Sequence, residues 1–66
     1  MNEDVVSIGL GVRTARLAAR LSQRDLADLV GLSERTIRDI ERGTGSPSVA
    51  SVFAAANAVG LRIGVR

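Results

Sequence analysis

The side chains best suited to selective polar chemistry share the exposed face of one short predicted helix: Glu34, Arg35, Arg38 and Asp39. An arginine guanidinium is a planar fork of donors that matches a phosphate or the edge of guanine, and a carboxylate accepts from the amino group of cytosine. Arg35 is the best candidate for a bidentate guanine contact, and Arg38 suits a second such contact or a phosphate. Phosphates would repel Glu34, so on a helix that meets nucleic acid its carboxylate would favour selectivity for bases.

These four residues also have a purely structural explanation. Glu34 and Arg38 are four residues apart, as are Arg35 and Asp39. This is the spacing of ordinary ion pairs on a helix surface, each of which contributes about 0.2–0.5 kcal/mol. The two explanations are compatible, because an ion pair can orient an arginine towards its base.

Apolar periodicity and helix-end residues predict four helices that position this face. The first helix begins near Ser7, after a frayed segment 1–6. Ser22 caps the second helix, with Asp25 at the capping-box position, and Gly31 ends it in a left-handed turn. A serine begins and a glycine ends each of the other two predicted helices. The third runs from Ser33 to Gly43 and the fourth from Ser48 to Gly60.

The predicted core is aliphatic and contains the one phenylalanine of the chain. Its members are Ile8, Val12, Leu17, Leu21, Leu26, Ala27, Val30, Ile37, Ile40, Val52, Phe53, Ala56, Val59 and Leu61. After the fourth helix, residues 61–66 alternate apolar and other side chains, which predicts a short β-strand. A lone strand leaves its backbone amides and carbonyls unpaired.

Composition excludes several classes of protein. The 66 residues make one domain, 1–66, and without His, Cys, Lys or Tyr the chain lacks most general acids, bases and nucleophiles. We therefore expect that the protein is not an enzyme and has no catalytic residue, metal or cofactor. No apolar run approaches the roughly 18 residues of a membrane span, and the acidic start is unlike a signal peptide. These features predict a cytoplasmic protein, nucleoid-associated if it binds DNA, with no membrane partner.

Several runs of residues match a known family in register: Leu21-Ser22-Gln23-Arg24-Asp25-Leu26-Ala27, Val30-Gly31-Leu32-Ser33, Thr36-Ile37 and Glu41-Arg42-Gly43. Over about residues 8–60 the chain resembles the Cro/phage-repressor (Xre) family. The resemblance implies an all-α, four- to five-helix, lambda-repressor-like domain with its helix-turn-helix at 22–42. It implies a bacterial, sequence-specific regulator of transcription, a repressor that binds double-stranded DNA at a palindromic operator.

Within this family the short chain and its terminal strand resemble the HipB-type antitoxin branch. That resemblance implies a homodimer whose strands pair across the symmetry axis, through Leu61, Arg62, Ile63, Gly64 and Val65. It also implies a HipA-like kinase toxin as partner in a toxin-antitoxin operon. The alternatives are a stand-alone phage-type repressor and a protein-interaction module on the same fold.

The resemblance also assigns roles to individual residues. It places the bases against Glu34, Arg35, Arg38 and Asp39. Phosphates would meet the polar residues that flank them: Ser22, Gln23, Ser33, Thr36, Arg42 and Thr44. For Gln23 a phosphate contact is favoured over the alternative of a solvent-facing side chain, whereas Arg42 could equally stabilise the negative end of its helix dipole. Arg16 and Glu41 match a structural ion pair, whereas Arg13 and Arg20 lie on other faces, at solvent or a phosphate.

Overall fold

The computed structural model of the protein describes residues 3–62, which form four helices and no strand: α1 Glu3–Ala18, α2 Gln23–Val30, α3 Glu34–Arg42 and α4 Val49–Ala58. For this part of the chain the all-α prediction is confirmed. Helix α3 packs against both α1 and α2, and α4 packs against α2. None of these four helices is long and apolar enough to cross a membrane.

Local hydrogen bonds explain where the middle helices begin and end. Ser22 and Asp25 form the predicted capping box, in which each side chain accepts from the other residue's backbone N–H at 2.9 Å. Ser33 caps α3 by accepting from Thr36 N at 3.0 Å. Gly31 follows α2 at a φ of 70°, a left-handed conformation that glycine adopts without steric strain. The short turn between α2 and α3 is therefore encoded by its own residues.

Helix α1 begins four residues earlier than predicted, because part of the segment 1–6 is helical. Two features of that segment favour a helix. Glu3 and Asp4 place negative charge in the first turn, where the helix dipole is positive. In addition, Val6 packs against Gly43, whose φ is 70°, so closely that a Cβ on the glycine would lie 2.7 Å from the Val6 Cα atom.

The core is centred on Val12, Leu26, Ile37 and Ile40, together with Ala27 and Ala56, as predicted for those residues. The prediction that Leu17 belongs to the core is wrong, since this residue is 52% exposed. Helix α1 instead buries the face that carries Gly9, Val12 and Arg16, and Leu17 lies beside that face. Two residues that pack in or against the core were not predicted, Ala55 and Leu32, while Leu21 and Phe53 are half-buried.

Helices α1 and α3 approach each other at Gly9. A Cβ placed on this residue would overlap the Ile40 carbonyl oxygen and lie 2.9 Å from that of Glu41. No other amino acid leaves room for the α3 backbone at this point. The glycine weakens α1 by about 1 kcal/mol relative to alanine, and in return it allows the two backbones to pack directly.

The predicted terminal strand is absent from the described residues. Leu61 and Arg62 follow α4 without strand structure, and Ile63, Gly64, Val65 and Arg66 lie outside the described part of the chain. Leu61 is half-buried against the core, and its backbone N–H donates to the Ala56 carbonyl at 2.9 Å. Within residues 3–62 Leu61 is therefore a core residue that closes the end of α4.

Candidate nucleic-acid interface

Helices α2 and α3 form a two-helix unit whose inner faces are apolar. Helix α2 buries Leu26 and Ala27, and α3 buries Ile37 and Ile40. The turn between them is held by a hydrogen bond from the Leu32 backbone N–H to the Ala27 carbonyl at 3.0 Å. Because the apolar stripe of α3 faces inward, the charged residues of the same helix other than Glu41 lie on its outer side.

The outer side of α3 carries the four predicted base-contacting residues. Glu34, Arg35 and Arg38 are exposed and Asp39 is half-exposed. Of the two candidate ion pairs only one forms in the described structure, with 3.6 Å between the Arg38 Nη2 and Glu34 Oε2 atoms. Arg35 has no carboxylate partner within residues 3–62. Its donors are therefore available to a ligand.

Glu41, at the C-terminal end of α3, lies in a buried ion pair with Arg16 of α1. Arg16 Nε donates to Glu41 Oε2 at 2.6 Å, and Arg16 Nη2 donates to Glu41 Oε1 at 3.0 Å. The remaining Arg16 nitrogen donates to the Leu21 carbonyl at 2.8 Å. The hydrogen bond to Glu41 raises the pKa of Arg16 above its usual value, against the opposing effect of burial. Both side chains thus face the protein and not the exposed face of α3.

Gln23, predicted to contact phosphate, is hydrogen-bonded within the domain. Its Nε2 atom donates to Glu41 Oε1 at 3.1 Å, and the residue is half-buried. The primary amide carries two hydrogens, so one remains after this bond. Sequence reasoning missed the Gln23–Glu41 contact, because only the packing of α2 on α3 brings these residues together.

The predicted phosphate-binding hydroxyls are all engaged in caps or turns. Ser33 Oγ and Thr36 Oγ1 lie 2.8 Å apart, and Ser22 Oγ accepts from the Asp25 backbone. Thr44 Oγ1 is 3.4 Å from the Asp39 carbonyl and accepts from Ser46 N. A hydroxyl that accepts at a cap keeps its own proton for a further acceptor.

Arg42 and Arg38 line a polar groove of about 450 Å³ between α3, α1 and the start of α2. Gln23 and Glu41 lie in its wall, and Arg13 of α1 completes the charged lining. From the sequence, Arg13 was expected on another face of α1, at solvent or a phosphate, and in the structure it lines this groove. Its spacing of three residues from Arg16 puts it one turn away on the α1 face that meets α3.

An exposed charged helix held behind a short glycine turn is the arrangement of a helix-turn-helix domain. The chain matches the helix-turn-helix family over residues 12–65 and belongs to that family. It is also similar to y4dL of Sinorhizobium fredii, an uncharacterized HTH-type transcriptional regulator, with 42% identity over 52 residues. The match covers 79% of this chain but only 26% of that protein. These similarities identify the family and not a branch within it.

Proposed function

We propose that this domain binds a specific double-stranded DNA sequence and acts as a transcriptional repressor. The observation that carries the proposal is the state of Arg35, an exposed guanidinium on α3 with no carboxylate partner in residues 3–62. The apolar side of α3 fixes the helix, so Arg35 is presented on a rigid support. The similarity to a transcriptional regulator over 79% of the chain supports the same conclusion.

In this proposal α3 enters the major groove. Arg35 and Arg38 bind guanine edges, and Glu34 and Asp39 select among the neighbouring bases. Ser22, Gln23, Ser33, Thr36, Arg42 and Thr44 supply contacts to the flanking phosphates. Phosphate contacts set the position of the helix and base contacts set the sequence preference.

The test is selection from a random duplex pool, followed by affinity measurement on the selected and scrambled duplexes over a range of salt. We expect the selected duplex to bind at least about 10³-fold more tightly than the scrambled one. The double variant Arg35→Ala/Arg38→Ala is the matched control, since both residues are exposed and the fold should persist. Equal affinity of the wild-type protein for both duplexes would rule out sequence-specific binding, and no duplex binding at all would favour the protein-interaction module.

We further propose a homodimer, so that two copies of α3 read the halves of a palindrome about 34–36 Å apart. The alternating pattern of residues 61–66 supports strand pairing between copies, and a domain of this size gains stability from association. Because Leu61 packs in the core, the truncation that tests the strand must begin at Ile63. Sedimentation should show a dimer for the full chain and a monomer for residues 1–62, whereas a dimer in both would refute strand pairing.

The antitoxin role is the most specific part of the proposal. The alternating segment 61–66 resembles the terminal strand of HipB-type antitoxins, which implies a HipA-like kinase toxin encoded beside this protein. Co-expression with the neighbouring open reading frame tests it. Rescue of growth and co-purification of the two chains are expected. Full operator binding with no toxic neighbour would instead support a stand-alone repressor.

A further inference from the structure

The polar groove between α1 and α3 is lined by more arginines than carboxylates. Its lining residues are Leu10, Arg13, Gln23, Arg38, Glu41 and Arg42. The one carboxylate among them, Glu41, is already paired with the buried Arg16. Three guanidinium groups from two helices therefore share a groove in which the charge of the one lining carboxylate is already neutralised by Arg16.

The partners of these three arginines differ. Arg38 lies 3.6 Å from Glu34, and both side chains are nearly half exposed, so solvent screens this pair. Arg13 and Arg42 have no carboxylate partner within the described residues 3–62. Mutual repulsion of like charges in one groove is relieved when an anion binds, and arginine is the side chain best suited to phosphate because two of its donors match two phosphate oxygens.

The position of the groove indicates which anion binds. Arg38 belongs both to the groove and to the outer side of α3, where the base contacts are proposed. Gln23 reaches the groove from the first turn of α2 and has one amide hydrogen left after its bond to Glu41. The groove therefore adjoins the face of α3 that meets DNA in the proposed function. The lining thus fits the phosphate that neighbours the bases read by α3.

We propose that Arg13 of α1 binds a phosphate of the DNA backbone in this groove, together with Arg42. The inference rests on the proposed DNA-binding function and extends the interface beyond the helix-turn-helix itself to the first helix. Each half-site then has a phosphate held by α1, whose position relative to α3 is fixed by the Arg16–Glu41 pair.

The test compares Arg13→Gln with Arg20→Gln on the selected duplex. Both residues are exposed arginines, but Arg20 lies in the turn after α1 and does not line the groove. Glutamine removes the charge and retains a long polar side chain. Circular dichroism verifies that both variants are folded before the affinities are measured.

For each protein the logarithm of the association constant is plotted against the logarithm of the salt concentration. Loss of one phosphate contact makes this slope shallower by about 0.9, so a dimer that loses one contact in each half-site should have a slope shallower by about 1.8, and the affinity lost between 50 and 200 mM salt should become about 12-fold smaller. We expect this change for Arg13→Gln, with unchanged base preference, and an unaltered slope for Arg20→Gln. Duplexes with a single neutral methylphosphonate should then reveal one position that weakens wild-type binding more than Arg13→Gln binding, because the variant contacts that phosphate through Arg42 alone.

Three outcomes would overturn the inference. An unchanged slope for Arg13→Gln excludes a phosphate contact, and an equal change for Arg20→Gln means that the effect does not depend on the groove. A methylphosphonate position that weakens both proteins equally also excludes the contact. In these cases wild-type specificity remains and the proposed function stands. If the wild-type protein does not distinguish the selected duplex from a scrambled one, the proposed function fails, and the inference fails with it.

Discussion

The guanidinium of Arg16 donates to both carboxylate oxygens of Glu41, at 2.6 and 3.0 Å, across 25 residues of chain. One member is on α1 and the other near the end of α3. Both are buried, and Gly9, two turns earlier on α1, packs directly against the α3 backbone. These contacts define how α1 lies on α3, and therefore how the exposed face of α3 is presented to a ligand.

Removing one partner of this pair should destabilise the fold. Glu41→Ala leaves the Arg16 guanidinium buried without its counter-charge, and we expect a loss of about 3 kcal/mol in the free energy of unfolding. Urea denaturation measures it. The control is Glu34→Ala, which removes the exposed pair with Arg38 and should change stability by less than about 1 kcal/mol. If Glu41→Ala unfolds like the wild type yet loses DNA affinity, Glu41 is a binding residue and the structural role is wrong.

Two glycines of α1 provide a second comparison. Gly9→Ala puts a Cβ against the Ile40 carbonyl, a backbone atom that cannot move aside, so the helices must separate at an expected loss of about 1–3 kcal/mol. At Gly11 the new Cβ would lie 3.1 Å from a Leu61 methyl group, which can rotate. The higher helix propensity of alanine, about 1 kcal/mol, should offset that contact. Thermal denaturation should show a lower Tm for Gly9→Ala only; a similar Tm for both variants would contradict direct backbone packing.

Features that depend on residues close in the sequence were predictable, and features that depend on helix packing were not. The capping box of Ser22 and Asp25 and the left-handed Gly31 were predictable, because each depends on neighbours within a few residues. The exposure of Leu17 was not, since helical periodicity alone does not say which of two apolar stripes meets α3. For the same reason the Gln23–Glu41 bond, between residues 18 apart, required the packing of α2 on α3.

The capping box makes stability depend on pH. The Ser22 backbone N–H, followed by the Ser22 hydroxyl interaction, lowers the pKa of Asp25 below its usual value of 3.8. The ionised carboxylate therefore stabilises the fold above that value, and this contribution is lost as the pH falls through the lower pKa of the folded state. Asp25→Asn should have a lower urea midpoint at neutral pH and a shallower decline than the wild type below about pH 4.

Asp28 provides the control for the capping box. It is exposed on the same helix and accepts no hydrogen bond within residues 3–62. The urea midpoint of Asp28→Asn should therefore change with pH in the same way as that of the wild type. Parallel curves for Asp25→Asn and the wild type would show that the cap contributes nothing to the pH dependence.

Arg35 is the residue on which sequence selectivity should depend most. Arg35→Ala removes a proposed bidentate guanine contact, and we expect it to relax the preference at one base pair by about 1–3 kcal/mol. The salt dependence should remain that of the wild type, because no phosphate contact is lost. The measurement is affinity for the selected duplex and its single-base-pair variants at several salt concentrations. Arg13→Gln supplies the opposite profile, an altered slope with unchanged base preference. If Arg35→Ala weakens binding equally on every duplex and lowers the slope by about 0.9 for each half-site, Arg35 contacts a phosphate and another residue of α3 reads the base.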